Sequence, residues 1–235
     1  MTADEIVEQL KPLGAEGYRK ILRNHGVPEP LFGVKIEHLK KIQNRVKKDY
    51  QLALDLYDTG VYDAMYLAGL IADDAKMTKQ DLRHWLDKAN CSMLSEYTVA
   101  WVAAEGAHGR ELALEWIDSK KESVAACGWA TLIGLVSIKD DAELDLAELK
   151  RLLQRVQTTI HQQPDRARSA MNKFIIALGT YVKPLTDAAL KTASSIGPVT
   201  VNTDGTACKV PDAGEYIRKA QKKGAIGKKR KSTKC

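Results

Sequence analysis

Aromatic side chains are scarce in this 235-residue chain, at 6% with only two phenylalanines. Alanine and leucine are plentiful instead, which leans the chain towards helices over sheet. Long apolar runs are missing too: none approaches the roughly 20 residues of a membrane-spanning helix. The amino terminus, MTADEIVEQL, is acidic and amphipathic, so it lacks the basic start of a secretory signal. A cytosolic, nucleoid-associated location is expected, or a nuclear one if the host has a nucleus. The four cysteines, Cys91, Cys127, Cys208 and Cys235, lie far apart with no Cys-x-x-Cys pair. That spacing points to neither zinc nor a disulfide framework, and Cys91 and Cys127 are expected to pack as small apolar residues. The five histidines are scattered, and no His-Glu-x-x-His, Gly-x-Ser-x-Gly, GxGxxG or phosphate-cradling glycine loop occurs. Neither a metal nor a cofactor is expected.

What the chain does have is a charge-poor centre. SMLSEYTVAWVAAEG repeats Leu94, Tyr97, Thr98 and Trp101 at helical spacing, and SVAACGWATLIGLVSI has no charged residue between Glu122 and Lys139. A helix that is apolar or small on nearly every side must be covered on nearly every side. Between them RELALEWIDSKK carries one stripe, Leu112, Ala113, Trp116 and Ile117, and charges elsewhere. Inner helix, outer amphipathic helix and inner helix again is the pattern of a stacked array.

The same pattern extends both ways. Thr2 and Glu5 fit a capping box for a helix over residues 3–12, and Pro28 and Pro30 impose an extended link. KIEHLKKIQNRVKK turns Ile36, Leu39, Ile42 and Val46 inward, and DAMYLAGLIA is another inner segment. Thr78 and Asp81 open an outer helix; later, Pro164 stops a long amphipathic one and Asp165 is expected to cap the next. Inner segments begin near residues 62, 96, 122 and 166, an irregular spacing that suits degenerate HEAT-type repeats. The fold expected is all-α, a HEAT-like helical solenoid over residues 1–195. Residues 196–224 form an extension with a short helix, and with either a hairpin turning at Asp204-Gly205 or an ordered loop. Residues 225–235 have little apolar content to hold them and are expected to be a mobile basic tail.

Charge is concentrated at that end. Residues 214–235 hold nine Lys or Arg against Glu215 alone, a net +8, so the rest of the chain is net −2 although the total is +6. The acids embedded in the central helix, Glu96 and Glu105, are either paired, exposed at a groove or functional. Trp101 and Trp129 either flank a groove that stacks bases or hold adjacent repeats together as core.

The inner and outer helix grammar, the FGVK turn before a basic helix, TKQDLRHWLDKA leading into the centre, and PDRARSAMNKF resemble the DNA alkylation repair family of AlkD-like HEAT-repeat proteins. The resemblance covers roughly residues 1–195, and the block from Ile196 to the C terminus is similar to an extension in one branch. It implies a DNA glycosylase ancestry, with excision of cationic N-alkylated purines by an acid near the sugar and aromatic faces beside the base. The family's Trp and catalytic Asp positions fall on Ser95 and Val99, so that pair is absent. The family's DNA-contacting Arg on the next inner helix falls in AACGWAT, at Cys127 and Gly128, and is absent as well.

These readings favour a DNA-binding protein, a monomer, that recognises damaged or structured DNA without excising a base. Phosphate contacts are expected from Lys35, Lys40, Lys41 and Arg45, from Arg166, Arg168 and Lys173, and from the tail residues Lys228, Lys229, Arg230 and Lys231. One alternative is an active N-alkylpurine glycosylase using Glu96 or another acid with Trp101 or Trp129. Another is a protein–protein scaffold, which the acidic body keeps open.

Overall fold

The computed structural model describes residues 1–202 and 210–234, and the hairpin expected at Asp204-Gly205 lies outside them. Among the described residues the secondary structure is helical, with one isolated antiparallel bridge between Gly14 and Val34. The chain packs as two compact units, Met1–Leu112 with Lys234, and Ala113–Thr233.

The first unit holds α1 (Ala3–Leu10), α2 (Glu16–Asn24), α3 (Ile36–Val46), α4 (Tyr50–Asp58), α5 (Tyr62–Ile71), α6 (Lys79–Lys88) and α7 (Ala100–Glu105). Helix α1 starts in the expected capping box: the Thr2 hydroxyl accepts from the Glu5 amide and the Glu5 carboxylate from the Thr2 amide. Thr78 and Asp81 do the same for α6. Every residue of α5 is buried, as its lack of a polar face requires. Its one charge, Asp63, sits in the first turn, where the carboxylate accepts the Phe32 and Val34 amides at 2.7 Å each. This bond pattern is what fixes the extended link after Pro30. Trp85 of α6 stacks on Tyr57 of α4 with ring centres 4.2 Å apart, and the Tyr57 hydroxyl donates to the Trp85 carbonyl.

The central segment is not one regular α-helix. Leu94–Val99 winds as a π-helical turn before α7 continues from Ala100. Helix α5 comes so near that a Cβ on Gly69 would stand 2.5 Å from Thr98 Cγ2. Only a residue without a side chain allows that approach.

The second unit contains α9 (Glu122–Ile138) and α11 (Asp165–Tyr181) as its charge-poor pair. Helix α8 (Gly109–Trp116) precedes them in the chain, and around them lie α10 (Leu146–Thr159), α12 (Thr186–Ile196) and α13 (Ala213–Lys222). Trp129 of α9 meets Phe174 of α11 at 5.1 Å, and Leu149, Leu152, Leu153 and Val156 bury the apolar stripe of α10. Asp165 departs from expectation. It is the first residue of α11 and not its cap, and its carboxylate accepts the Asn202 amide and pairs with Arg168.

The segment expected to be a mobile tail has fixed partners. Gly227 N–H donates to the Thr180 carbonyl and Arg230 N–H to the Ser137 carbonyl. Lys229 Nζ reaches Asp141 at 2.8 Å and the Val136 carbonyl at 3.0 Å, and Thr233 is buried. In the first unit, Lys234 Nζ lies 2.7 Å from the buried Asp74 carboxylate, which Lys48 also approaches at 3.2 Å. The acceptors Val136, Ser137 and Thr180 are in the last turns of α9 and α11, where carbonyls lack helical partners and the helix dipole favours a cation. Polar capping holds this segment. Apolar content was the wrong criterion for it.

Candidate nucleic-acid interface

In the first unit the basic side chains of α3 stand where its periodicity places them. Leu39 and Ile42 are buried, while Lys35, Lys40 and Lys41 are exposed and carry no ion pair among the described residues. Arg45 is also exposed, but its guanidinium donates to the Gln9 amide oxygen at 2.8 Å.

In the second unit the candidates divide. The Arg168 guanidinium donates to the Gln163 carbonyl twice, at 2.8 and 3.2 Å, and to the Thr200 carbonyl at 2.8 Å. It therefore ties the extension to α11, and this structural duty explains its half-buried position. Asn172 Nδ2 donates to the Pro211 carbonyl beside it, and Lys173 is half-buried. Arg166 is exposed, with its amide bound to the Glu122 carboxylate. Of the tail residues, Lys228, Arg230 and Lys231 face solvent, whereas Lys229 is the cap described above.

A basic surface that the residue-by-residue reading left out is the outer side of α13. Ala213, Gly214 and Ile217 are buried, with the Ile217 side chain against Gly179 of α11. Arg218, Lys219, Lys222 and Lys223 are left exposed, beside an exposed Tyr216 with Lys219 Nζ 5.3 Å from its ring centre. Lys219 is paired with Glu215 at 2.8 Å. The signal was present in the sequence as the spacing of 213, 217 and 220 against 218 and 222.

The positions to which the resemblance carries the family's Trp and Asp are closed. Ser95 and Val99 are buried, and the Ser95 hydroxyl points back to the Cys91 carbonyl at 3.4 Å. An acid at either position would enter the core. Trp129 is 2% exposed, between Phe174 and the Arg155 guanidinium 5.8 Å from its ring centre, and so is a core residue. Trp101 is also buried, but it sits at the edge of an aromatic row that reaches solvent. Tyr66 meets it at 5.6 Å and 86°, and Tyr97 at 5.7 Å and 74°. Tyr97 is 38% exposed, and Glu96 beside it is half-buried.

Tyr97 is expected inward on an α-helical wheel. The difference falls within the π turn Leu94–Val99, whose i→i+5 bonding takes more residues per turn than the α-helix's about 3.6: Tyr97 is turned out while Leu94, Thr98 and Trp101 stay buried. No cluster of three or more His, Cys, Asp or Glu that could hold a metal occurs among the described residues. Among the described residues no helix is long and apolar enough to cross a membrane.

Comparison with known proteins gives a consistent picture. The family profile described as DNA alkylation repair enzyme matches residues 6–217. An uncharacterised protein of Listeria innocua, Lin0241, is 34% identical over 227 residues, covering 94% of this chain and 98% of its own. An uncharacterised protein of Listeria monocytogenes, Lmo0209, matches to the same extent. Among solved structures, one superposes over 100% of both chains with a TM-score of 0.94 at 35% identity. It is described as representing a new family of proteins related to the HEAT-like repeat DNA glycosylases, with affinity for branched DNA structures.

Proposed function

The chain belongs to the DNA alkylation repair enzyme family, and from that membership we propose that it binds branched DNA through the phosphate backbone without excising a base. The observation that carries this reading is the full-length likeness to the structure with affinity for branched DNA. Burial of Ser95 and Val99 supports it further, because base excision needs an acid beside the sugar and those positions have no room for one. The phosphate contacts fall to Lys35, Lys40, Lys41 and Arg45 in the first unit. In the second they fall to Arg218, Lys222 and Lys223 of α13 with Lys228, Arg230 and Lys231 after it. Such contacts position the protein on DNA and carry no sequence information. The protein acts as a monomer wherever the host's DNA lies, at the nucleoid or in the nucleus.

Fluorescence anisotropy with a three-way junction and a duplex of equal length tests the proposal, with tighter binding to the junction expected. Each neutralised phosphate adds roughly 0.9 to the log–log salt slope. Replacing Arg218, Lys222, Lys228 and Lys231 with glutamine should therefore lower the slope by about 3 to 4. Equal affinity for both DNAs overturns the branch preference, and absence of binding to either returns the protein to the scaffold reading. Release of 3-methyladenine or 7-methylguanine faster than the spontaneous rate, abolished by Glu96→Gln, overturns the non-catalytic reading.

A further inference from the structure

The first unit contains an aromatic row whose last member is open. Tyr62, Tyr66, Trp101 and Tyr97 follow one another with ring centres 6.2, 5.6 and 5.7 Å apart. The first three are 5, 4 and 8% exposed, whereas Tyr97 is 38% exposed. The row therefore runs from the covered helix α5 to solvent and presents one ring there. Trp101 meets that ring at 74°, so it braces Tyr97 without lying parallel over its face. The brace limits the rotamer freedom that a ligand would otherwise have to remove.

A second feature marks the same place. Tyr97 is out of helical register because Leu94–Val99 is a π turn, and π turns concentrate at functional positions in helices. The turn is kept under tight packing, with Gly69 against Thr98.

We propose that Tyr97 is a stacking surface for the nucleobase exposed at a DNA branch point. This rests on the DNA-binding reading above. A base pair at a junction has lost one stacking neighbour, and a base beside it is often unpaired, so each offers a π-face that duplex DNA keeps covered. Aromatic stacking accepts any base, which matches recognition of a branch by structure and not by sequence. The phenol hydroxyl is not needed for this, only the ring.

The test compares Tyr97→Ala, Tyr97→Leu and Tyr97→Phe on a three-way junction and an equal-length duplex. Tyr216→Ala serves as the control, because Tyr216 is also exposed, at 49%, but belongs to α13 with a lysine as its partner. The Ala and Leu variants should weaken junction binding by about tenfold, the scale of one stacked base, while duplex binding stays within about twofold. The Phe variant should bind the junction as the parent does. The leucine keeps apolar bulk, so its loss of binding reports the ring and not a damaged fold. With 2-aminopurine at the branch point, the parent and Phe variant should quench its fluorescence and the Leu variant should not.

Unchanged junction affinity in both Ala and Leu variants overturns the proposal while leaving junction binding itself standing. So does an equal loss on duplex and junction, or a loss in Tyr216→Ala as large as in Tyr97→Leu. A parent protein that fails to bind the junction removes the DNA-binding reading first, and this proposal with it.

Discussion

Trp101 and Trp129 hold corresponding places in the two units, each on a charge-poor inner helix, yet their surroundings are opposite. Trp129 is sealed by Phe174 and Arg155 in the second unit. Trp101 in the first unit leads outward to Tyr97. The helices differ in winding. Helix α9 runs unbroken from Glu122 to Ile138, whereas the segment before α7 contains the π turn. A regular helix keeps an aromatic side chain in its apolar register and hence in the core. One π turn is enough to release one residue from it. Charge is used differently as well. Both units hold backbone amides with carboxylates, Asp63 and Glu29 in the first and Glu122 and Asp165 in the second, and the second in addition holds helix-end carbonyls with Lys229 and the backbone of its C-terminal segment.

The largest effect should come from removing the sealed ring. Trp129→Ala deletes a fully packed side chain and should cost about 3–5 kcal/mol in urea unfolding. A cost below about 1 kcal/mol would mean that Trp129 is no more enclosed than Tyr97, and the contrast between the units would fail. Next comes Gly69→Val, which puts side-chain atoms where Thr98 already stands. Overpacking of this kind costs about 1–3 kcal/mol. The π turn must also shift, so tyrosine fluorescence near residue 97 should change along with stability.

Much of this architecture is legible in the sequence because it rests on period and composition. The unbroken apolar face of DAMYLAGLIA, the capping residues Thr2 and Thr78, and the stop at Pro164 each correspond to a feature of the structure. What was not legible depends on contacts between distant residues. No local pattern tells that Arg168 will donate to Thr200, 32 positions on, or that Lys229 will find the end of α9, 93 positions back. A basic residue reads the same whether it faces a phosphate or a carbonyl. The exposure of Tyr97 was hidden for another reason. A helical wheel assumes one winding throughout, and LSEYTV has no proline or glycine to mark the departure.

A smaller effect should follow from Lys229→Met, which removes a cation from the last turn of α9 and leaves Asp141 without its partner. The expected loss is about 1–2 kcal/mol, the scale of a hydrogen bond involving a charged group. It should appear in thermal unfolding, with residues 225–233 gaining amide hydrogen exchange. Unchanged exchange there would show that the backbone bonds to Thr180 and Ser137 suffice to hold the segment, and that the lysine is only an exposed charge.

The smallest effect is a pH dependence from two carboxylates of the first unit. Glu29 accepts from Arg19 and Arg23, and their hydrogen bonds, led by that of Arg19, hold its carboxyl down at about 2. The unfolded chain takes up that proton near about 4.3. Between those values the unfolded state binds more protons, so the contribution of Glu29 is complete above the upper value and disappears as pH falls towards the lower. Asp63 acts in the opposite sense. Burial pushes its carboxyl up against the pull of the Phe32 and Val34 amides, so the folded state binds the extra proton and stability declines as pH rises from the unfolded value of about 3.9 towards the raised folded one. The two windows adjoin: Glu29 loses its contribution below about 4.3 and Asp63 loses its own above about 3.9. Glu29→Gln should remove the acid-labile part and leave the Asp63 slope alone. Melting temperatures of parent and variant between pH 2.5 and 5.5 separate the two, and an identical pH profile in Glu29→Gln would assign the acid sensitivity elsewhere.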